Sequence, residues 1–370
     1  MSQTPPPTDT EPPSDAASQP RASSTGRRLL MGVGGIALAL GLVYSVYWQQ
    51  LATGIETGID DWFQARRDQG WQAMHQGVLV GGFPFSLVAE IKAPQLARPG
   101  RWSWAGPTLK GEAWPWRPGQ WTVLAPGRHT GSLDAGGKVR NLAAKLGFAR
   151  AVVLVERGRL GYAEASVEDA RVRDTEAGGE TRLERLHLTA REPVPESAPK
   201  VPDRPPASLV ATLEFETLAL AENLATPLGR TVDTVTLDAR LLGRIGGDDD
   251  RPAALAGWRD AGGIVEVEAL SVEIGSLELD ADGTLALDAN LQPQAAFAAR
   301  IRGFDEAVDK LTAARVIGGA TATAAKLVLG ALAKVPPGGG RREIKAPVTL
   351  QEQKLYVGPI SVGRVPAVRW

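Results

Sequence analysis

Cysteine is absent from this chain of 370 residues. Its absence excludes disulfides, thiolate metal sites and a cysteine nucleophile, and leaves the redox compartment open. Histidine is scarce: His75, His129 and His187 lie far apart, with no second histidine or carboxylate at ligand spacing. Neither sign of charge is in excess. With 41 Lys and Arg against 42 Asp and Glu, the net charge of -1 supplies no basic face for phosphates, so no nucleic-acid partner is expected. The motifs GxSxG, GxGxxG, HExxH and the P-loop are all missing. No catalytic residue, metal site or cofactor is therefore assigned, and the chain is read as a non-enzyme. The acidic stretch Asp248-Asp249-Asp250 lacks the alternating ligands and distal Glu of a calcium loop and reads as a solvated turn. Glu214 with Glu216, and Glu266 with Glu268, each share a strand face. Such pairs suit acid/base work, and equally the wet side of a half-buried sheet.

What the chain does have is one long uncharged run. Leu29 to Trp48 is twenty residues without a charge, enough for a helix to cross a hydrocarbon core of about 30 Å. Arg27 and Arg28 precede it and Asp60 and Asp61 follow, which places the N-terminus in the cytoplasm and the bulk of the chain across the membrane. Tyr44, Tyr47 and Trp48 gather at the far end, where amphipathic rings favour the headgroup layer. No small-x-small site follows, so an uncleaved anchor is expected rather than a signal peptide. Residues 1–28 are rich in Pro, Ser, Thr and Gln. They bury too little to offset their chain entropy, and a disordered cytoplasmic tail is predicted.

Residues 49–76 read as an amphipathic helical connector, with Leu51, Ile55, Ile59, Trp62 and Phe63 at helical spacing. From 77 to 370 the period becomes two, and 42 glycines and 27 prolines suit many strands and turns. Residues 191–208 hold six prolines and predict an exposed loop. Leu209, Ala211, Leu213 and Phe215 alternate with polar residues, as do Val235, Leu237, Ala239 and Leu241. The phase change from Val265 and Val267 to Leu270 and Val272 predicts a bulge. Asp282-Gly283 predicts a hairpin turn. Helices are expected from Asp250 through Trp258 and over 305–334, the latter broken at Gly318-Gly319. The fold class is mainly β with some α: a meandering antiparallel, curved sheet with a few packed helices, after one transmembrane helix.

Half of the ten tryptophans fall within twenty residues. Phe83 and Phe85 are placed on one strand face, Trp102 and Trp104 on another, and Trp114 and Trp116 on a third if that strand survives Pro115; Trp121 follows. These rings either fill a core or form an apolar surface that stacks on sugars or sits in a headgroup layer. The seven are the candidate ligand surface.

The order of several segments carries a resemblance. Gly82-Phe83-Pro84-Phe85 is followed by Trp114-Pro115-Trp116-Arg117-Pro118, then Trp258-Arg259-Asp260-Ala261-Gly262-Gly263. Gly283-Thr284-Leu285-Ala286-Leu287-Asp288, Leu291-Gln292-Pro293 and Gly358-Pro359 complete the set. From about Gly32 to Pro366 the chain resembles domain-of-unknown-function family 2125, membrane-anchored proteins found chiefly in alphaproteobacteria. The resemblance implies an inner-membrane protein with a periplasmic domain, and brings no catalytic residues with it. More loosely, the hairpin followed by a helical segment resembles the AsmA-like envelope proteins, whose elongated sheets are similar to lipid-carrying grooves.

The leading expectation is a non-enzymatic envelope protein whose sheet presents an apolar groove to a lipid ligand, with the bilayer as a partner through Leu29–Trp48. The alternative is a scaffold for another envelope protein, through a sheet edge or the Pro-rich loop. A third reading, a glycan-acting enzyme, needs the tryptophans and a carboxylate pair in one cleft.

Overall fold

The computed structural model describes residues 24–134, 137–156, 159–193, 204–246, 251–336, 339–368 and 370, and it leaves aside the side chains of 24–33, 321, 360 and 362. Most of the expected tail, residues 194–203 of the Pro-rich loop and the acidic loop Asp248–Asp250 fall outside the described residues. Two compact units make up the chain, Met1–Leu51 and Ala52–Trp370. Among the described residues no helix is long and apolar enough to cross a membrane.

Helix α1 runs from Ser24 to Asp68, so residues 24–28 are helical where a disordered tail was expected. It ends earlier than the apolar spacing predicts. Gly70, at φ +79°, closes it: the Gly70 N–H donates to Arg67 O at 2.9 Å and the Trp71 N–H to Arg66 O at 3.0 Å. That pairing satisfies the last carbonyls and turns the chain out of the helix. Strand β1 (Gln72–Met74) therefore occupies the end of the expected helical connector.

The second unit is built on one antiparallel sheet, with nineteen strands among the described residues. Eight short strands come first: β1, β2 (Val78–Gly81), β3 (Leu87–Ile91), β4 (Gln95–Arg98), β5 (Trp102–Ala105), β6 (Leu109–Trp114), β7 (Arg117–Leu124) and β8 (Gly127–Asp134). They behave as four long strands, each bent in the middle. Thus β2 pairs with β3 and β1 with β4, β3 with β6 and β4 with β5, β6 with β7 and β5 with β8. Both β7 and β8 then pair with β9 (Val139–Glu156). From there a meander continues through β10 (Arg159–Asp174), β11 (Glu180–Arg191), β12 (Ala207–Ala219), β13 (Thr231–Leu242), β14 (Ile264–Ile274) and β15 (Leu277–Leu287). It ends with β16 (Pro293–Arg302), β17 (Glu343–Gln351), β18 (Lys354–Val357) and β19 (Ile360–Arg364). The mainly-β, antiparallel fold class is as the sequence predicts.

The bends align into one crease. Pro94, Pro107 and Pro126 lie in it, between paired segments, where a missing N–H costs no ladder bond. Farther along, the crease passes through Gly147, Asp169, Glu184 and Thr217, which are flanked by residues in unbroken register. Ala93, Asp169 and Thr217 adopt positive φ of 44°, 47° and 49°. The apolar phase inverts there, from Ala163, Ala165 and Val167 to Ala170 and Val172 in β10. A strict period of two would send the second set to the opposite face; the left-handed residue resets it.

Helix α2 (Arg251–Asp260) docks through Trp258, whose indole N–H donates to Leu242 O at 2.8 Å. Helices α3 (Phe304–Ala313) and α4 (Gly319–Leu332) lie between β16 and β17. Their Phe304, Val308, Ala325 and Leu329 enclose Ile344 and Ala346 of β17. The break predicted at Gly318-Gly319 is present, as is the bulge, which shifts the β14–β15 register between Val267 and Leu270.

Three local expectations are corrected. Phe83, Pro84 and Phe85 form a turn rather than a strand face, closed by the Ser86 N–H to Gly82 O at 3.0 Å, with a cis Phe83–Pro84 bond. Trp114 ends β6 and Trp116 lies in the turn after it, because the chain reverses at Pro115. Asp282-Gly283 is no turn: Gly283 stands opposite Phe297 in mid-strand, and the hairpin reverses at Gly275-Ser276. Gly275 takes φ +58°, which a two-residue loop requires of a residue without a Cβ.

Candidate functional site

Residues directly opposed on neighbouring strands project from the same face of a sheet. One such row begins Val80, Ala89, Gly111, Val123, Ala151, Ala165, crossing β2, β3, β6, β7, β9 and β10. It continues through Leu188, Leu213, Leu237, Leu270, Ala281, Ala299 and Ala346 to β17. Thirteen strands contribute, and none places a polar side chain in the row. A second row two residues away runs Trp121, Val153, Ala163, Ala190, Ala211, Ala239, then Val267, Gly283, Phe297, Val348 and Val357. On the other side lies a third, from Ala149, Val167, Leu186, Phe215 and Val235 to Val272, Leu279, Ile301 and Ile344. With strands about 4.8 Å apart, this apolar band follows the sheet for on the order of 58 Å.

The band is covered unevenly. At the β3 and β6 end, Ala89 and Gly111 are buried beneath the part of α1 that belongs to the second unit. Ile55, Gly58 and Ile59 of that helix line a half-open apolar cavity of about 450 Å³ with Ala89, Ile91, Leu109, Trp121 and Val123. The helix is held there by the Val80 N–H to Glu56 Oε1 at 3.2 Å, His75 against Asp60 at 3.1 Å and Arg67 to Ala73 O at 2.8 Å. At the far end α3 and α4 bury Ala346 and Ile344. Between these ends Val123, Ala151, Ala165, Leu213, Leu237 and Leu270 are only half-buried, and Leu188 is 38% exposed. An apolar stripe of this extent, open along its middle, is unusual for a surface that meets only water.

The opposite face is charged. Arg185 meets Glu216 at 2.5 Å, Arg240 meets Glu268 at 2.8 Å, and Arg204 pairs with Glu266. Of the carboxylates that the sequence offers as acid/base pairs, Glu216, Glu266 and Glu268 are thus engaged by arginines. Glu278 hydrogen-bonds Arg302 at 2.9 Å and Arg341 at 2.9 Å. The Arg302 hydrogen bond holds its carboxyl below the usual range, against a smaller opposing effect of burial.

The seven aromatic candidates do not form one surface. Trp102 meets Trp71 edge-on at 5.5 Å. Trp104 stacks on His129 at 6.0 Å and donates to its Nδ1 at 3.3 Å, so Nε2 carries the proton given to Ala125 O at 2.9 Å. Both rings pack within the sheet's first strands. Trp121 covers Gly111 and lines the cavity under α1. The other four stand at two hairpin tips. Phe83 and Phe85 are 53% and 70% exposed, and Trp114 and Trp116 are 50% and 59% exposed. The sequence reading did not single out Ile55, Ile59, Val123 or Leu188 as surface residues. Their strand or helix period was readable, but which neighbours they meet depends on pairing register.

The glycines of the resemblance also find a structural role. A Cβ on Gly263 would lie 2.3 Å from the Trp258 indole, and one on Gly283 2.7 Å from the Phe297 ring. Residues 48–366 match domain-of-unknown-function family 2125, described as an uncharacterised protein conserved in bacteria. The chain belongs to that family. No curated protein and no solved structure matches it, and the looser likeness to AsmA-like proteins has no counterpart among these matches. For this member of family 2125, the Trp258–Gly263 and Gly283–Phe297 contacts account for two of its sequence landmarks.

Proposed function

We propose that this family 2125 protein is a non-enzymatic, membrane-anchored envelope protein that holds lipid acyl chains against the apolar band of its sheet. The observation that carries this reading is the row from Val80 to Ala346, apolar across thirteen strands and half-open from Val123 to Leu270. Each methylene moved from water onto such a surface contributes up to about 0.8 kcal/mol, and a surface without polar side chains imposes no headgroup geometry along the chain. In the same reading Leu29–Trp48 spans the inner membrane, with Arg27 and Arg28 on the cytoplasmic side and the second unit in the periplasm.

The test is lipid extraction from the purified full-length protein, followed by mass spectrometry, for the natural chain and for Leu213→Asp with Leu237→Asp. Co-purifying phospholipid that survives detergent exchange, and falls several-fold in the double variant, supports the reading. Equal lipid in both proteins overturns it, provided circular dichroism shows the variant folded. A reporter fused to the C-terminus tests the topology; cytosolic activity of a periplasm-silent reporter would remove the anchor from the proposal.

A further inference from the structure

The four exposed rings lie side by side. Leu87 pairs with Ala113, so the turn carrying Phe83 and Phe85, just before Leu87, adjoins the turn carrying Trp114 and Trp116, just after Ala113. Trp114 and Trp116 stack at 5.1 Å with planes 26° apart. Beneath them the tips are rigidly based, since Leu87 and Pro115 are fully buried. Gly82, at φ +97°, and the Ser86 N–H to Gly82 O bond fix the first turn.

The same end of the sheet is where the chain enters the second unit. Glu56 accepts from the Val80 N–H, two residues before Gly82, so the start of this unit lies by the tips. The helix then runs away from them, toward Trp71 and β1 at the opposite end, where Trp71 meets Trp102. In sequence, the uncharged run ends at Trp48, eight residues before Glu56. The same ends of the successive strands from β7 to β13 carry Arg117, Arg159, Arg191 and Arg244 against Glu156 and Glu192, and Arg159 and Arg244 share Glu192. The amphipathic indoles of Trp114 and Trp116, with the apolar rings of Phe83 and Phe85 beside them and arginines along the same strand ends, match the headgroup layer of an anionic bilayer better than they match water.

We propose that the two tips, through Phe83, Phe85, Trp114 and Trp116, seat in the headgroup layer of the bilayer that holds Leu29–Trp48. This contact rests on the anchored reading above and adds to it an orientation: the strand ends that carry the tips face the lipid, and the opposite strand ends, at the β10–β11 turn, point away. A protein partner at the same rings is the competing occupant, but it gives no reason for the tips to coincide with the entry of the uncharged run.

Because the chain has no cysteine, single labels are straightforward. The full chain is reconstituted in vesicles of phosphatidylethanolamine and phosphatidylglycerol, with an environment-sensitive fluorophore on Phe85→Cys, Arg117→Cys, Ala177→Cys or Tyr47→Cys. Quenching by nitroxide-bearing lipid is then measured. Labels at 85 and 117 are expected to be quenched several-fold more than the label at 177, which marks the opposite end of the sheet. Adding Trp114→Ala and Trp116→Ala should reduce quenching at 117. Quenching at 47 with none at 85 and 117 overturns the tip contact while leaving the anchor standing. No quenching at 47 removes the anchor, and the tip contact with it. A blue-shifted but unquenched label at 85 or 117 reports burial against protein and also overturns the proposal.

Discussion

Gly283 of β15 stands directly opposite Phe297 of β16, and a Cβ on it would lie 2.7 Å from the Phe297 Cδ1 and 2.2 Å from the Ala296 carbonyl oxygen. The glycine is there for close approach, with its backbone in ordinary extended conformation. Gly283→Ala should therefore destabilise the protein by about 1–3 kcal/mol through overpacking. Denaturant unfolding of the full chain checks this. Shrinking the ring with Phe297→Leu should not restore stability, because the Ala296 carbonyl remains in place.

Trp258 docks α2 by one buried hydrogen bond to Leu242 O, with its ring lying over Gly263. Trp258→Phe keeps most of the apolar contact but leaves the Leu242 carbonyl without its donor, at a cost of about 1–3 kcal/mol. Gly263→Ala pushes the indole away, and should cost at least as much. Limited proteolysis between β13 and β14 should accelerate in both variants.

Gly70 ends α1 in a left-handed conformation. A side chain there costs about 1–2 kcal/mol, so Gly70→Ala should lower the thermal midpoint, while Gly70→Asn should lose less. An equal loss for both would mean that something other than backbone conformation governs this position.

Glu278 is held ionised by its hydrogen bond to Arg302, which draws the carboxyl below its ordinary range. A group with a depressed folded-state pKa stabilises the protein above the ordinary carboxylate range. That contribution disappears as pH falls through the folded value. Stability should thus decline on acidification from about pH 4.3 downward, and Glu278→Gln should be less stable at neutral pH with a flatter acid limb. Chemical unfolding at a series of pH values measures both slopes. Since Glu278 and Arg302 are each about a third exposed, high salt should shrink the difference.

Much of the architecture was legible in the residues. Alternation in Leu209–Phe215 and Val235–Leu241 predicted strands, the change of phase after Val267 predicted the bulge, and Gly318-Gly319 predicted the break between α3 and α4. The misreadings share a cause. Asp282-Gly283 has the chemistry of a turn, yet the strand partner, not the dipeptide, decided where the chain reversed. Phe83-Pro84-Phe85 has the spacing of a strand, yet its backbone closes into a turn at Gly82. Of the candidate surface, Trp102 and Trp104 went to packing and Trp121 to a cavity, because local sequence states which residues are aromatic without stating what lies across the sheet.

By itself the sequence determined which residues alternate, where helices replace strands, and that family 2125 is the chain's family, because these depend on periodicity and order along one chain. Only the tertiary structure decided that Val80, Ala165, Leu213 and Ala346 share one uninterrupted apolar row, and that the Phe83 and Trp116 turns are neighbours. Both follow from strand register, a relation between residues up to hundreds of positions apart that hydrogen-bond pairing sets and one-dimensional pattern does not contain.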